Sequence, residues 1–484
     1  MNVQSHLFVL AYLPLVIVLW WLSNRRWGNR AARILLLTAG ALFCGWASPP
    51  ALLVLLAEGM VSYLLGRRMV GREAAHKKVL LAVGVGLLLT VLAFFKYTGF
   101  ALSLTPLEGL LPTPPGWLAP LGLSFVTFQQ IFFLRDCYDG AAGSDVSPLD
   151  YATCLTYFPT ATSGPITRMG ELAPQLRNPA VFSWENMASG LWCFSLGLFK
   201  KVLLAELFAG GADWGFPLAG TLTPCDAVLV SLCYTLQIYF DFSGYCDIVW
   251  GIARMMGVEM PVNFDSPYKA ASIADFWKRW HITLSRFFTN CVYIPLGGNR
   301  EGMATTCRNI MVIFLLSGIW HGAGLGFLVW GALHGGAMVL ERLGRGKVRV
   351  PKILGWLLTF LFVNAAWVFF RAETLNQALS LLRDMTRGSW ELPSAEFAAA
   401  LLLPEFEALA TFANLVWAGA KDIFYYWMPM LSLPLGMALL ALPNPLRQAQ
   451  NFQLRGWKVL VIVIALVWSV VSLSGVDVFI YENF

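Results

Sequence analysis

Long apolar stretches without a formal charge constrain the fold of this chain more than any other feature of its sequence. Several approach or exceed the ~20 residues that cross a bilayer as one helix, and they occupy residues 7–24, 34–57, 79–95, 227–240, 310–340, 353–370, 423–446 and 459–476. Only 13% of the 484 residues are charged and 57% are hydrophobic, so a soluble globule could not cover its surface. We therefore predict an all-α polytopic membrane protein with about eleven transmembrane helices.

The charged loops predict how the chain is oriented. Residues 25–33 carry four arginines and no acid, and residues 67–78 and 341–352 are also strongly basic. Because basic loops stay in the cytoplasm, we expect these three segments inside and both chain termini outside. The acid-rich residues 371–422 are expected outside. We assign the net charge of +6 to these cytoplasmic loops. The composition excludes an intrinsically disordered protein, a secreted disulfide scaffold and a nucleic-acid-binding domain as the main class of protein.

The middle of the chain differs from its two ends. Between residues 117 and 299 the apolar pieces are short and are interrupted by proline, glycine and isolated charges. Broken helices at membrane depth occur where protein or a water-filled cavity surrounds them. We therefore interpret residues 1–484 as a single domain with N-terminal spans (1–100), a re-entrant core that lines an internal cavity (101–345) and C-terminal spans (346–484).

His321 lies near the centre of the charge-free run 310–340. As one helix this run would be about 46 Å long, too long for one straight span and too short for two. We expect a long tilted helix or a bent one, with His321 well inside the membrane, where an ionisable group indicates a functional site. A neutral histidine bonded to a backbone carbonyl is the alternative. The neighbouring glycines should let another group approach this face closely; they are Gly318, Gly322, Gly324 and Gly326.

His281 is the second candidate and lies in a mixed basic and aromatic segment, residues 275–286. On a continuous helix Trp277, His281 and Ser285 would share one face, and the basic residues would anchor the segment near the cytoplasmic headgroups. The alternative is an interfacial amphipathic helix with an incidental histidine. We expect His334 to serve only in packing.

Two acids, Asp241 and Asp247, lie in an apolar stretch and need partners at membrane depth. They could orient a histidine or pair with Lys200 and Lys201, and a purely structural role is equally open. The nine scattered cysteines show no spacing typical of a metal site or a disulfide framework. The sequence also lacks a phosphate-binding loop and a serine nucleophile elbow. We therefore expect no bound cofactor or metal, and any hydrolase-type acyl acceptor must be another polypeptide.

The histidine motifs also carry a resemblance to a known family. Trp280-His281, the run 293–300 and Trp320-His321-Gly322 follow in the order typical of the membrane-bound O-acyltransferase family, most closely its alginate O-acetylation branch. The resemblance implies broken helices around a central transmembrane tunnel. It also implies that His321 is catalytic and that His281 is a second catalytic position toward the cytoplasm. The residues expected to line or support the tunnel are Trp280, Trp320, Asp241, Asp247, Ser285 and Asn299.

The resemblance further implies a multi-pass enzyme of the bacterial inner membrane that transfers acetyl groups from cytoplasmic acetyl-CoA for O-acetylation of an exported polysaccharide. Its expected partners are a hydrolase-type periplasmic acetyltransferase, the exopolysaccharide synthesis and export machinery, and the lipid bilayer. Residues 287–291 depart from the alginate branch by losing an Arg-Asp pair, so cellulose or another exopolysaccharide stays open beside alginate. The alternatives are D-alanyl transfer of the teichoic-acid type and a transporter or flippase without covalent chemistry. Only the enzymes would turn over an acyl donor.

Overall fold

A computed structural model describes residues 3–46, 48–106, 112–141, 145–179, 181–346 and 350–473, which contain 21 α-helices and no β-strand. The first ten are α1 (Leu13–Arg26), α2 (Asn29–Gly45), α3 (Pro49–Met69), α4 (Ala74–Ser103), α5 (Leu123–Asp139), α6 (Pro148–Leu155), α7 (Met169–Arg177), α8 (Trp184–Phe199), α9 (Ala205–Gly215) and α10 (Pro224–Met255). The others are α11 (Ile273–Trp277), α12 (Ile282–Phe288), α13 (Met303–His321), α14 (Leu325–Gly344), α15 (Lys352–Arg371), α16 (Leu375–Asp384), α17 (Ala395–Ala400), α18 (Pro404–Val416), α19 (Ala420–Leu440), α20 (Pro445–Gln450) and α21 (Gly456–Ser472).

Six helices in the described part are long and apolar enough to cross a membrane on their own. They are α1 with the π-helical turn before it, α3, α4, α10, α13 and α15. Most of the other helices are shorter, although α14 and α19 have 20 and 21 residues, and α8 continues through a π-helical segment, Lys200–Leu204, into α9. The protein is therefore an all-α polytopic membrane protein, and its broken helices fall mainly in the middle of the chain, as the sequence predicts.

The 32-residue helix α10 forms the centre of the bundle and is buried along most of its length. It packs against α8 through glycines that let the two backbones touch. A Cβ atom on Gly190 would come within 2.6 Å of the Gly251 carbonyl oxygen, and one on Gly197 would come equally close to the Gly244 carbonyl oxygen. Such glycine contacts replace the hydrophobic driving force that is missing between helices in lipid.

The charge-free run 310–340 forms two antiparallel helices, α13 and α14, so the prediction of one tilted or bent helix is wrong. The chain turns back at residues 322–324, directly after His321. The glycines near His321 let another group approach this face closely, as expected, because a Cβ on Gly318 would come within 2.4 Å of the Phe327 carbonyl oxygen. A Cβ on Gly322 would likewise lie 2.0 Å from the Phe327 ring. The neighbouring helix α14 therefore fills the space that the glycines leave.

The acid-rich segment after α15 contains three further helices, α16, α17 and α18. Two contacts join it to α9 and α10. Arg371 pairs with Asp213 of α9 at 2.7 Å, and the Ser394 amide donates to the carboxylate of Asp226 in α10. That this segment faces the outer side of the membrane stays a prediction. The predicted outside position of the two chain ends concerns residues 1–2 and 474–484, which lie outside the described residues.

Candidate functional site

His281 lies between α11 and α12 and is completely buried. Its backbone φ is 45°, a left-handed value found in the described residues at only one other position that is not glycine. The chain therefore does not continue as one helix from Trp277 to Ser285, and the predicted shared face is wrong. A left-handed backbone conformation at a residue other than glycine costs on the order of 1–3 kcal/mol, and such residues are typically found at functional sites.

The side chain of Asn263 fixes the orientation and the protonation of His281. Its Oδ1 accepts hydrogen bonds from the backbone N–H and the hydroxyl of Thr283, at 3.1 and 3.0 Å, and lies 3.2 Å from His281 Nδ1. Because an amide oxygen can only accept, Nδ1 carries the proton, and in the neutral ring that full burial favours Nε2 then has a lone pair. Among the described residues, His281 Nε2 has no hydrogen-bond partner. The site thus holds a buried neutral base with one unused acceptor.

His321 is the last residue of α13, and its ring is enclosed by aromatic side chains from three helices. Ring centroids lie 4.8 Å from Trp320, 5.2 Å from Trp330 and 5.1 Å from Phe370. The Trp320 ring also contacts His281, at 6.3 Å. The structure therefore brings both predicted histidines against the ring of one tryptophan.

The other predicted support residues are divided between this centre and the rest of the molecule. Trp280 is buried next to His281 in the chain, and its ring packs on Trp367 at 5.0 Å. The Ser285 hydroxyl donates to the Trp277 carbonyl at 3.4 Å, one turn after His281. Asn299 is exposed in the turn before α13 and does not join the two histidines.

The two acids of α10 are neutralised by lysines from the adjoining π-helical segment. Lys200 donates to Asp247 at 2.6 Å, and Lys201 donates to Asp241. Of the alternatives left open by the sequence, the structure favours ion pairing over orientation of a histidine. These pairs hold α10 against the segment between α8 and α9.

His334 is a packing residue, as expected from the sequence. Its Nδ1 accepts a hydrogen bond from the Trp277 indole at 3.2 Å, and its ring is stacked 6.3 Å from Phe276 and 6.3 Å from Phe314. Two residues of the site were missed at the level of sequence, Asn263 and Lys96. Lys96 could have been noticed as a lone lysine at the end of the apolar run 79–95, but no motif distinguishes Asn263.

The chain is similar to known proteins over most of its length. A model of the membrane-bound O-acyltransferase family matches residues 139–376, which include both histidines of the site. A peptidoglycan O-acetyltransferase of Helicobacter pylori is 38% identical, with 79% of each chain covered. A probable alginate O-acetylase of Pseudomonas aeruginosa is 37% identical, over 80% of this chain and 76% of the relative.

A more distant relative performs a different acyl transfer. A teichoic acid D-alanyltransferase of Bacillus subtilis is 24% identical and covers 54% of this chain. Acyltransferases thus account for all three similarities, which excludes a transporter or flippase without covalent chemistry as the main function. With its buried histidine pair inside the matched region, this chain belongs to the membrane-bound O-acyltransferase family and is an acyltransferase.

Proposed function

We propose that this protein transfers acetyl groups from cytoplasmic acetyl-CoA to hydroxyl groups of a carbohydrate polymer exported across the bacterial inner membrane. Two relatives support an acetyl group and a carbohydrate acceptor, since they are named for O-acetylation of peptidoglycan and of alginate. The donor is inferred from chemistry, because a thioester is an activated acyl group with a thiolate leaving group. Alginate, cellulose or another exopolysaccharide would serve as the final acceptor.

In this proposal His321 is the general base. An acceptor hydroxyl attacks the acetyl carbonyl while the imidazole takes its proton. The carbon–sulfur bond then breaks, and the proton passes to the departing thiolate, so that an O-acetyl ester and free CoA are formed. His281, with its unused Nε2, would bind the thioester end of the donor or relay the proton. General-base catalysis of this kind typically contributes ~10²–10⁴-fold in rate.

The observation that carries the proposal is the contact of both histidines with the single ring of Trp320. Such a cluster places a second proton acceptor, His281 Nε2, on the same tryptophan ring as His321, where it could relay the proton that His321 removes. It also offers a donor for a developing oxyanion, because the Trp320 indole N–H has no partner among the described residues. Both atoms are buried, and in a water-poor site such groups act more strongly than at a surface.

The immediate acceptor is proposed to be a second protein. Because this chain lacks a serine nucleophile elbow, a hydrolase-type periplasmic acetyltransferase would receive the acetyl group and pass it to the polymer. The polysaccharide synthesis and export machinery would then be the third member of the assembly.

The test compares His321→Gln and His321→Ala with His334→Gln, which changes a buried histidine in the adjoining aromatic cluster. Release of CoA from acetyl-CoA and acetylation of the polymer are measured per amount of folded protein in the membrane. We expect both His321 variants to lose ~10²-fold or more and His334→Gln to stay within a few-fold of wild type. Near wild-type turnover in folded His321→Gln would contradict the assignment of the base.

D-alanyl transfer is the second candidate, and the Bacillus subtilis relative is the observation that favours it. Its lower identity and smaller coverage make it the weaker candidate. The two functions differ in their donors, since D-alanyl transfer would not release CoA from acetyl-CoA. Purified protein that consumes a D-alanyl carrier protein and leaves acetyl-CoA intact would reverse the preference.

A further inference from the structure

The C-terminal end of α13, which carries His321, has an unusual set of hydrogen bonds. The last four carbonyl groups of a helix have no partner within the helix. In α13 the Gly318 carbonyl accepts from the Gly322 amide, and the Ile319 carbonyl accepts from the Tyr97 hydroxyl. The carbonyls of Trp320 and His321 both accept from the Lys96 ammonium, the latter at 3.1 Å. Two adjacent residues of α4 therefore satisfy three of these four groups.

Lys96 lies near the far end of α4, 22 residues after the helix begins at Ala74. Its Nζ is also 5.7 Å from the centre of the Trp320 ring, a cation–π geometry. Among the described residues, Lys96 forms no salt bridge with a carboxylate. A lysine in an apolar span is expensive and normally has a charged partner or a function. Here its positive charge is directed at the negative end of the α13 dipole.

We propose that Lys96 and Tyr97 are positioning residues that hold the end of α13, and with it Trp320 and His321, in the geometry required for acyl transfer. This inference rests on the proposed role of His321. The two backbone carbonyls held by Lys96 belong to Trp320 and His321, two of the residues whose side chains form the site. A change of one ångström at a reacting group can lower a rate by ~10²-fold, so the anchor is expected to control turnover more than donor binding.

The experiment compares Lys96→Met, which keeps most of the length of the side chain but loses its charge and donors, with Lys96→Arg, which keeps the charge and the donors. Lys78→Met on the exposed first turns of α4 is the matched control. We expect Lys96→Met to lower kcat ~10–100-fold with KM for the donor within about twofold, Lys96→Arg to recover most of this loss, and Lys78→Met to behave as wild type. A folded Lys96→Met protein with normal kcat would overturn the proposal, as would an arginine variant no better than methionine.

Tyr97→Phe decides the question if Lys96→Met does not accumulate in the membrane, because it removes a single hydroxyl. We expect a three- to tenfold lower kcat at normal thermal stability, and an unchanged kcat would refute the positioning role. The same variants distinguish this inference from the proposed function. An active His321→Gln protein would reject both the catalytic role of His321 and the positioning role of Lys96 and Tyr97. An inactive His321→Gln protein together with normal Lys96→Met and Tyr97→Phe proteins would reject only the positioning role.

Discussion

Replacing Asn263 by alanine tests whether the orientation of His281 matters for transfer. The substitution removes the oxygen that accepts from His281 Nδ1 and from the backbone N–H and hydroxyl of Thr283. The hydroxyl can rotate, but the other two donors stay buried. Each unsatisfied buried donor costs ~1–3 kcal/mol, so we expect a loss of about 2–6 kcal/mol, a large part of an ordinary domain's stability of ~5–15 kcal/mol.

A second loss is expected in catalysis itself. Without Asn263 the proton of His281 is free to move to Nε2, and the ring can rotate away from its productive position. We expect turnover per folded Asn263→Ala protein to fall ~10²-fold, in addition to the lower yield. Asn451→Ala, which changes an exposed asparagine after α20, should leave both quantities unchanged.

The assay measures acetyl transfer and the thermal unfolding midpoint on the same membrane preparations. A variant with a lowered midpoint but normal turnover per folded molecule would show that Asn263 only stabilises the loop. Normal values for both quantities would refute the hydrogen-bond reasoning altogether.

Three further predictions concern stability and assembly, each measured as the thermal midpoint of the purified protein. Burial raises the pKa of Asp150, but hydrogen bonds, above all from Arg177, outweigh this and lower the pKa to about 2. Asp150→Asn should therefore destabilise the folded protein at neutral pH, and the difference from wild type should shrink as the pH falls from 3.8 toward 2. A difference that stays constant with pH would contradict this. Lys201→Met should cost ~3–5 kcal/mol by leaving Asp241 buried without its cation, and an added Asp241→Asn should recover part of the loss. Gly318→Ala should separate α13 from α14, because its Cβ would meet a carbonyl oxygen at 2.4 Å; an unchanged midpoint would exclude this close packing.

The class of fold and the identities of the two histidines could be predicted from the sequence. Charge-free runs identify membrane helices by length alone, and the Trp320-His321-Gly322 motif indicates the family. The hairpin at residues 322–324 could not be predicted, because the run 310–340 fits neither one span nor two. The turn depends on α14 filling the glycine face of α13, a contact between helices that a local pattern does not contain.

The support of the site was predicted least well. Asn263 lies 18 residues before His281, and only the folded chain brings its amide to the imidazole. Lys96 comes from a different part of the chain, 225 residues before His321. Asn299 shows the opposite error, since its motif suggested a place in the site but the folded turn leaves it exposed. Distant polar contacts of this kind depend on packing and have no periodic signature.

The two lysine–aspartate pairs between the α8–α9 segment and α10 have a consequence for how the protein enters the membrane. Insertion of a single Lys or Asp at the centre of a helix is unfavourable by ~2.5–3.5 kcal/mol. Lys200 and Lys201 emerge from the ribosome about 40 residues before Asp241 and Asp247. A segment that moved into lipid alone would carry two unpaired charges. We therefore expect α8, α9 and α10 to leave the insertion machinery together, with both ion pairs already formed.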